Sequence, residues 1–275
     1  MTACKSNRVW RKILPLTGMV CAISFLGWLL IEKTPLNAGT ADKEYAEAPE
    51  TALNEKLIAA AEKGDYLLVK YLLSKKANCN YLGKNGKTAL TAAAARGNNE
   101  CLIILLQAGA DPEITDKLNK SALVLAAEKD HAGTVKQLLR FNADVNGGSR
   151  TGRTALQAAA RTGARNALLL LLKHKAELWP GSSEGRGALI SAVQHKHEDI
   201  ALILLQAGAN PEECDPVGNS VLMAASANGS SKLVKTLLKN KFVNVEHTNN
   251  SGENALDLAI KNGHSDIAKL LKNNQ

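Results

Sequence analysis

Residues 181–185 read Gly181-Ser182-Ser183-Glu184-Gly185, a Gly-x-Ser-x-Gly spacing. In a hydrolase that spacing holds a nucleophilic serine on a strained turn between a strand and a helix, so the chemistry it would announce is acyl transfer. His195 and His197 follow as the tightest histidine pair of the chain, a residue type and spacing from which a metal site could start. Five cysteines are present without a Cys-x-x-Cys pair, so neither a zinc site nor a redox motif is signalled. No dinucleotide fingerprint, P-loop or His-Glu-x-x-His occurs. Each candidate depends on the element that carries it: a serine nucleophile needs a strand before it and a helix after it.

The elements are set by a repeat. A leucine returns as Leu57, Leu90, Leu123, Leu156, Leu189, Leu222 and Leu256, in steps of 33 residues and once of 34. Three positions after each stands an alanine, from Ala60 and Ala93 to Ala225 and Ala259. Fifteen after each stands a second leucine, from Leu72 and Leu105 to Leu237 and Leu271. A period of this length means a stack of small units and not one globular core. The small residues let two helices approach closely. Cys101-Leu102-Ile103-Ile104-Leu105-Leu106 is apolar almost all round, as expected of a helix buried between neighbours. Gly64, Gly97, Gly163, Gly229 and Gly263 end the first helix of their units, with Asp130 and Lys196 standing there in two others. The longer step places one extra residue around Phe242-Val243, in a loop. The serine motif then falls in a turn between units, with no parallel sheet to lift it, and reads as a flexible connection.

The units resemble ankyrin repeats. The clearest runs from Lys84 to Glu113, with Asn85-Gly86-Lys87-Thr88-Ala89-Leu90, Ala92-Ala93-Ala94-Ala95-Arg96-Gly97 and Leu105-Leu106-Gln107-Ala108-Gly109-Ala110-Asp111-Pro112. The resemblance covers about 53–275 and implies an all-α solenoid of seven helix-turn-helix units with β-turn or hairpin fingers. The family's proline is missing from every unit; Lys56, Ala89, Ala122, Ala155, Ala188, Val221 and Ala255 hold its place. The family's histidine after the anchor is missing too, so that motif's side-chain hydrogen bonds are weakened while its packing pattern is kept. His131, His197 and His264 occupy the family's Gly-His position, which implies a place at the start of a helix and not a metal site.

The resemblance also orients the charges. Three residues before the anchor lies a turn position that faces the concave side in this family; it reads Asn54, Lys87, Lys120, Arg153, Arg186, Asn219 and Glu253. Six before it, from the second unit on, the chain reads Lys84, Lys117, Arg150, Ser183, Pro216 and Asn250. The inner helices add Arg96, Lys129 and Arg161. Units two to five thus place cations along one groove, about 10 Å from rung to rung. The whole chain carries a net charge of +8.

The N-terminus is a separate case. Lys5, Arg8, Arg11 and Lys12 make 1–12 a basic cytoplasmic segment. Residues 13–31, Ile13 to Ile31, are uncharged and span about 28 Å as a helix, the depth of a bilayer core. They are expected to anchor the chain or to serve as a signal sequence, with the repeats on the non-cytoplasmic side, or secreted after cleavage. Residues 32–52 read as a polar linker before the repeat domain, 53–275. Cys79 and Cys214 lie four repeats apart, roughly 40 Å at ~10 Å per layer, beyond the ~7 Å a disulfide can bridge.

These features point away from catalysis. The expected function is non-catalytic protein–protein interaction through the concave basic groove. The partner is expected to be acidic, with attachment to an anionic envelope polymer or lipid surface as the alternative. Membrane contact is assigned to the N-terminal helix. Nucleic acid is disfavoured, because stacking aromatics are missing from the groove, and no cofactor or small-molecule substrate is indicated.

Overall fold

The computed structural model describes residues 49–84, 86–147, 153–178, 187–240 and 243–274. Among these it holds fourteen helices and no strand, in seven pairs. The pairs are α1 (Glu50–Lys63) with α2 (Tyr66–Ser74), α3 (Ala89–Arg96) with α4 (Asn99–Gln107), and α5 (Ala122–Glu128) with α6 (Ala132–Arg140). They continue as α7 (Ala155–Thr162) with α8 (Arg165–Lys173), and α9 (Ala188–Gln194) with α10 (Glu198–Gln206). The last are α11 (Val221–Asn228) with α12 (Ser231–Leu238), and α13 (Ala255–Lys261) with α14 (Ser265–Lys272). The compact unit formed by the repeats starts at Ala48, and its first helix begins at Glu50, three residues ahead of the expected edge at 53.

Each first helix packs on the first helix of the next unit. The second helices stack in the same order, closely through units 1 to 4 and again through units 5 to 7. The leucine register is the core: the second leucines, Leu72 through Leu271, and the alanines, Ala60 through Ala259, are all buried, as are the first six anchors. Each buried leucine contributes roughly 1.5–3 kcal/mol. The seventh anchor, Leu256, is half-buried.

Local chemistry starts and stops these short helices. Thr88, Ser121, Thr154, Ser220 and Asn254 sit at the N-caps of five first helices and accept the N–H of Thr91, Val124, Gln157, Met223 and Asp257. Gly187, at the same place before α9, has no side chain to do so. Four first helices end on left-handed glycines, Gly64, Gly97, Gly163 and Gly229. Asp130 and Lys196 take the same conformation, φ 54° and 62°, without being glycine.

The described fingers are tight turns with little sheet character; a single antiparallel bridge, Cys214 to Ser220, occurs among the described residues. Asp116 Oδ1 accepts the N–H groups of Leu118 and Lys120, Asp215 Oδ1 those of Val217 and Asn219, and Asn249 Oδ1 those of Ser251 and Glu253. A second relay sets the register between units. Glu113 Oε1 accepts the Asp144 N–H, Asn146 Oδ1 that of Glu177, and Glu212 Oε1 that of Asn244.

No helix among the described residues is long and apolar enough to cross a membrane. The expected span at 13–31, the basic segment before it and most of the expected linker lie outside the described residues.

Candidate functional site

The fingers and the first helices carry the cations that the sequence aligns. Lys84, Lys117 and Lys129 are exposed. The fingers of units 2 and 3 touch: the Lys117 ammonium donates to the Lys84 carbonyl, and Gly86 leaves the room that Lys117 fills. Two large apolar side chains stand out beside these cations, Leu82 and the 70 % exposed Leu118, and Val217 holds the equivalent tip in unit 6.

The half-buried cations are placed differently. Lys87 Nζ lies 3.6 Å from Glu62, which Arg96 also meets at 3.1 Å. Lys120 and Arg161 both close on Glu128, each at 2.5 Å. Each acid therefore ties one unit to the next, Glu62 joining units 1 and 2 and Glu128 joining units 3 and 4. Burial raises the Glu128 carboxyl, but the hydrogen bond and charge of Lys120, with the charges of Arg161 and Lys129, outweigh it and leave the group below its ordinary value. At Glu62 the Arg96 hydrogen bond is the main cause of a lowered value. Among the described cations, part of the column thus braces the stack, and part is presented to solvent. Arg153 is half-buried with its own interactions. Arg150 and Arg186 lie outside the described residues, as does the whole Gly181–Gly185 motif.

Glu62 and Glu128 were missed by reasoning on the two turn columns, which hold no acid in units two to five. The signal was one column further in, since both acids stand five residues after their anchors, Leu57 and Leu123.

The histidines sit where expected and do something else there. His131, His197 and His264 are the N-cap residues of α6, α10 and α14, yet none caps its helix through its side chain. His197 Nε2 is 3.1 Å from the Arg161 carbonyl, and His264 Nε2 is 3.1 Å from the Ala227 carbonyl, each in the preceding unit. The rings lie over the glycine that ends that unit's first helix; a Cβ on Gly97, Gly163 or Gly229 would come within 2.9, 2.7 and 2.7 Å of them. Asn98 covers Gly64 in the same way. Where the glycine is replaced, the facing residue is small: Ala164 follows Asp130, and Ser230 follows Lys196. Asp130 uses its side chain to accept the Ala167 N–H at 2.8 Å. These are joints between units.

Among the described residues no cluster of three His, Cys, Asp or Glu side chains could hold a metal ion. Cys79, Cys101 and Cys214 are free thiols, and burial pushes that of Cys101 up to about 11. The Cys214 thiol lies 3.7 Å from His247 Nε2, and burial, with the charges of Glu212 and Asp215, raises it above its ordinary value.

A family model described as "Ankyrin repeats (3 copies)" matches residues 38–116, 57–149, 92–182, 123–215 and 189–275. The chain is similar to the ankyrin repeat domain of Bcl-3, described as a unique member of the IkappaB protein family, at 26 % identity and TM-score 0.67, covering 78 % of this chain and 97 % of that one. It also shares its fold with the human ASB11 ankyrin repeat domain, at 23 % identity and TM-score 0.67, over 78 % of this chain and 96 % of that one. No curated protein sequence matches the chain.

Proposed function

We infer function from one premise: the chain belongs to the ankyrin repeat family, whose stacked helices act as non-enzymatic scaffolds for binding other proteins. The finer reading is a partner with an acidic surface, held along the fingers of units 2 and 3 and the first helices behind them. The observation that carries it is the placement of Lys84, Lys117 and Lys129, exposed on adjoining units beside Leu82 and Leu118. Exposed apolar tips among cations suit a segment that alternates acidic and apolar residues. The cations would set orientation and on-rate more than affinity, and the apolar tips would supply the desolvated contacts. Lys87, Lys120 and Arg161 serve the fold first, because Glu62 and Glu128 already engage them.

The same reading keeps the N-terminal segment 13–31 as a membrane anchor with the repeats on the non-cytoplasmic side, supported by the basic cluster ahead of an uncharged run. Protease added to intact cells, or to cells with a permeabilised outer membrane, would then digest the repeats; full protection until lysis rejects that orientation.

The test of the groove compares two triple variants. Lys84, Lys117 and Lys129 changed together to Gln remove three charges from the binding face. Lys136, Lys173 and Lys239, exposed on second helices or their ends, remove three from elsewhere. Partners captured by the wild-type chain from its own compartment should be lost by the first variant and kept by the second. Equal loss from both would mean that net charge matters and the groove does not. A complex that collapses with salt as steeply as a polyanion does would assign the face to an anionic polymer.

A further inference from the structure

The fifth unit lacks the residue that caps the first helix in its neighbours. Thr88, Ser121, Thr154, Ser220 and Asn254 fill that column, and Gly187 interrupts it. The amide that such a cap would satisfy, Ile190 N–H, donates instead to Glu213 Oε2 at 3.1 Å, a side chain of the next unit. Glu213 stands in a column that reads Tyr81, Ile114, Gly147, Pro180, Glu213 and His247, so the one acid of the column falls beside the one missing cap. The two positions are shaped to each other. A Cβ at residue 187 would lie 2.3 Å from Glu213 Oε2, which leaves no room for a serine or threonine. Glu213 is only 3 % exposed, and its second oxygen, Oε1, has no hydrogen-bond partner among the described residues. Its backbone closes the joint from the other side, the carbonyl accepting the Val221 N–H at 3.1 Å.

We propose that Gly187 and Glu213 form a proton-gated joint: protonated Glu213 caps α9 from the neighbouring unit and holds units 5 and 6 together, and its ionisation loosens that junction relative to the rest of the stack. A buried carboxylate with one amide donor and one orphan oxygen is costly, whereas the neutral acid keeps the same acceptor for Ile190 and sheds the charge. Among the described residues the charged groups around it are engaged elsewhere. On its own loop Glu212 accepts the Asn244 N–H, Cys214 lies against His247, and Asp215 holds Asn219 and Gln194. Neither α9 nor α11 carries an ionisable side chain, and His195 at the end of α9 turns to the Ser191 carbonyl.

Burial pushes the Glu213 carboxyl up to about 7 from 4.5, with the Ile190 N–H opposing. The closed junction therefore binds the proton more tightly than an opened one. Its stability falls as pH rises from about 4.5 to about 7 and levels off above that. Glu62 and Glu128, held below their ordinary values, titrate on the acid side of this window, so units 1 to 4 serve as an internal reference.

Hydrogen exchange on the full chain, corrected for the intrinsic pH dependence of amide exchange, tests the joint. Between pH 5 and 8, protection of amides in 187–228 should fall on the order of tenfold relative to those in 86–140. Glu213→Gln should flatten that profile, because the amide cannot ionise. Should that variant fail to fold, Gly187→Ser with Glu213→Ala restores the hydroxyl cap seen in the other units and should flatten it equally. A wild-type profile that already follows the reference units overturns the proposal, as does a pH-dependent loss that survives in the variants.

Discussion

At the residue scale the chain is governed by complementary pairs in adjoining units that make sense only when two units are read together. Gly163 and His197 are the clearest. The glycine has φ 75°, and its missing Cβ leaves the space that the imidazole of the next unit fills. Gly163→Ala should cost roughly 1–2 kcal/mol for the left-handed backbone alone, and more for the clash with the ring. Adding His197→Ala removes the clash but also the contact with the Arg161 carbonyl. Urea titration of the two single variants and the double variant should therefore give a double loss smaller than the sum, and strict additivity would show that the ring and the glycine do not meet. The sequence made half of this legible. The glycine column and the histidine column both stand out by period, and a helix-start place for the histidines was read from their position. Their contacts were not legible, because a local motif cannot say that a side chain at an N-cap reaches back to the preceding unit. Glu62 and Glu128 were hidden for a related reason: the cations that meet them come from fingers and helices far apart in sequence.

At the element scale the two helices of a unit are started by different means. First helices are capped from within by a hydroxyl or amide, as Thr154 caps α7 by accepting the Gln157 N–H while Gln157 reaches back to the Thr154 N–H. In all six units after the first, the N-cap residue of the second helix makes no such bond, and that of α8 is Ala164. Their first turn is ordered by the preceding unit instead, as where Glu198 Oε1 accepts the Leu233 N–H at 2.9 Å. Thr154→Ala should therefore lower stability by about 1 kcal/mol. Ser230→Ala, at the equivalent place in a second helix, should stay within ~0.5 kcal/mol. Comparable shifts in the urea midpoint for both would mean that second helices are self-capped in solution. Helix number and register were legible because leucine and alanine positions repeat without a gap. The caps were legible only as a column of Thr and Ser, and the substitution of Glu213 for the missing fifth member was not, since it comes from the next unit.

At the scale of the whole repeat domain, stability is a chain of neighbouring contacts, with no central core to share it. Each first helix touches the one before and the one after, and the buried leucines, alanines, capping relays and Glu62 and Glu128 pairs all join adjacent units. The last unit differs. Leu256 is half-buried, Ile260 is 57 % exposed where Ala94, Ala127 and Ala160 are buried, and Lys272 replaces the leucine that ends the pattern in earlier units. In a one-dimensional stack a loss at the end is felt most by the unit beside it and progressively less further along. Truncation after residue 248 should uncover Met223 and Ser226 of unit 6, now buried. Amides of α11 and α12 should then lose protection on the order of tenfold, about 1.4 kcal/mol, while those of α3 and α4 change little. Leu138→Ala acts from the middle instead. Its cavity should cost about 2–5 kcal/mol and should lower protection on both sides, in α4 and in α8. Hydrogen exchange read unit by unit separates the two cases. If truncation weakens α3 as much as α11, the seven units open as one body, and the nearest-neighbour account of this fold is wrong.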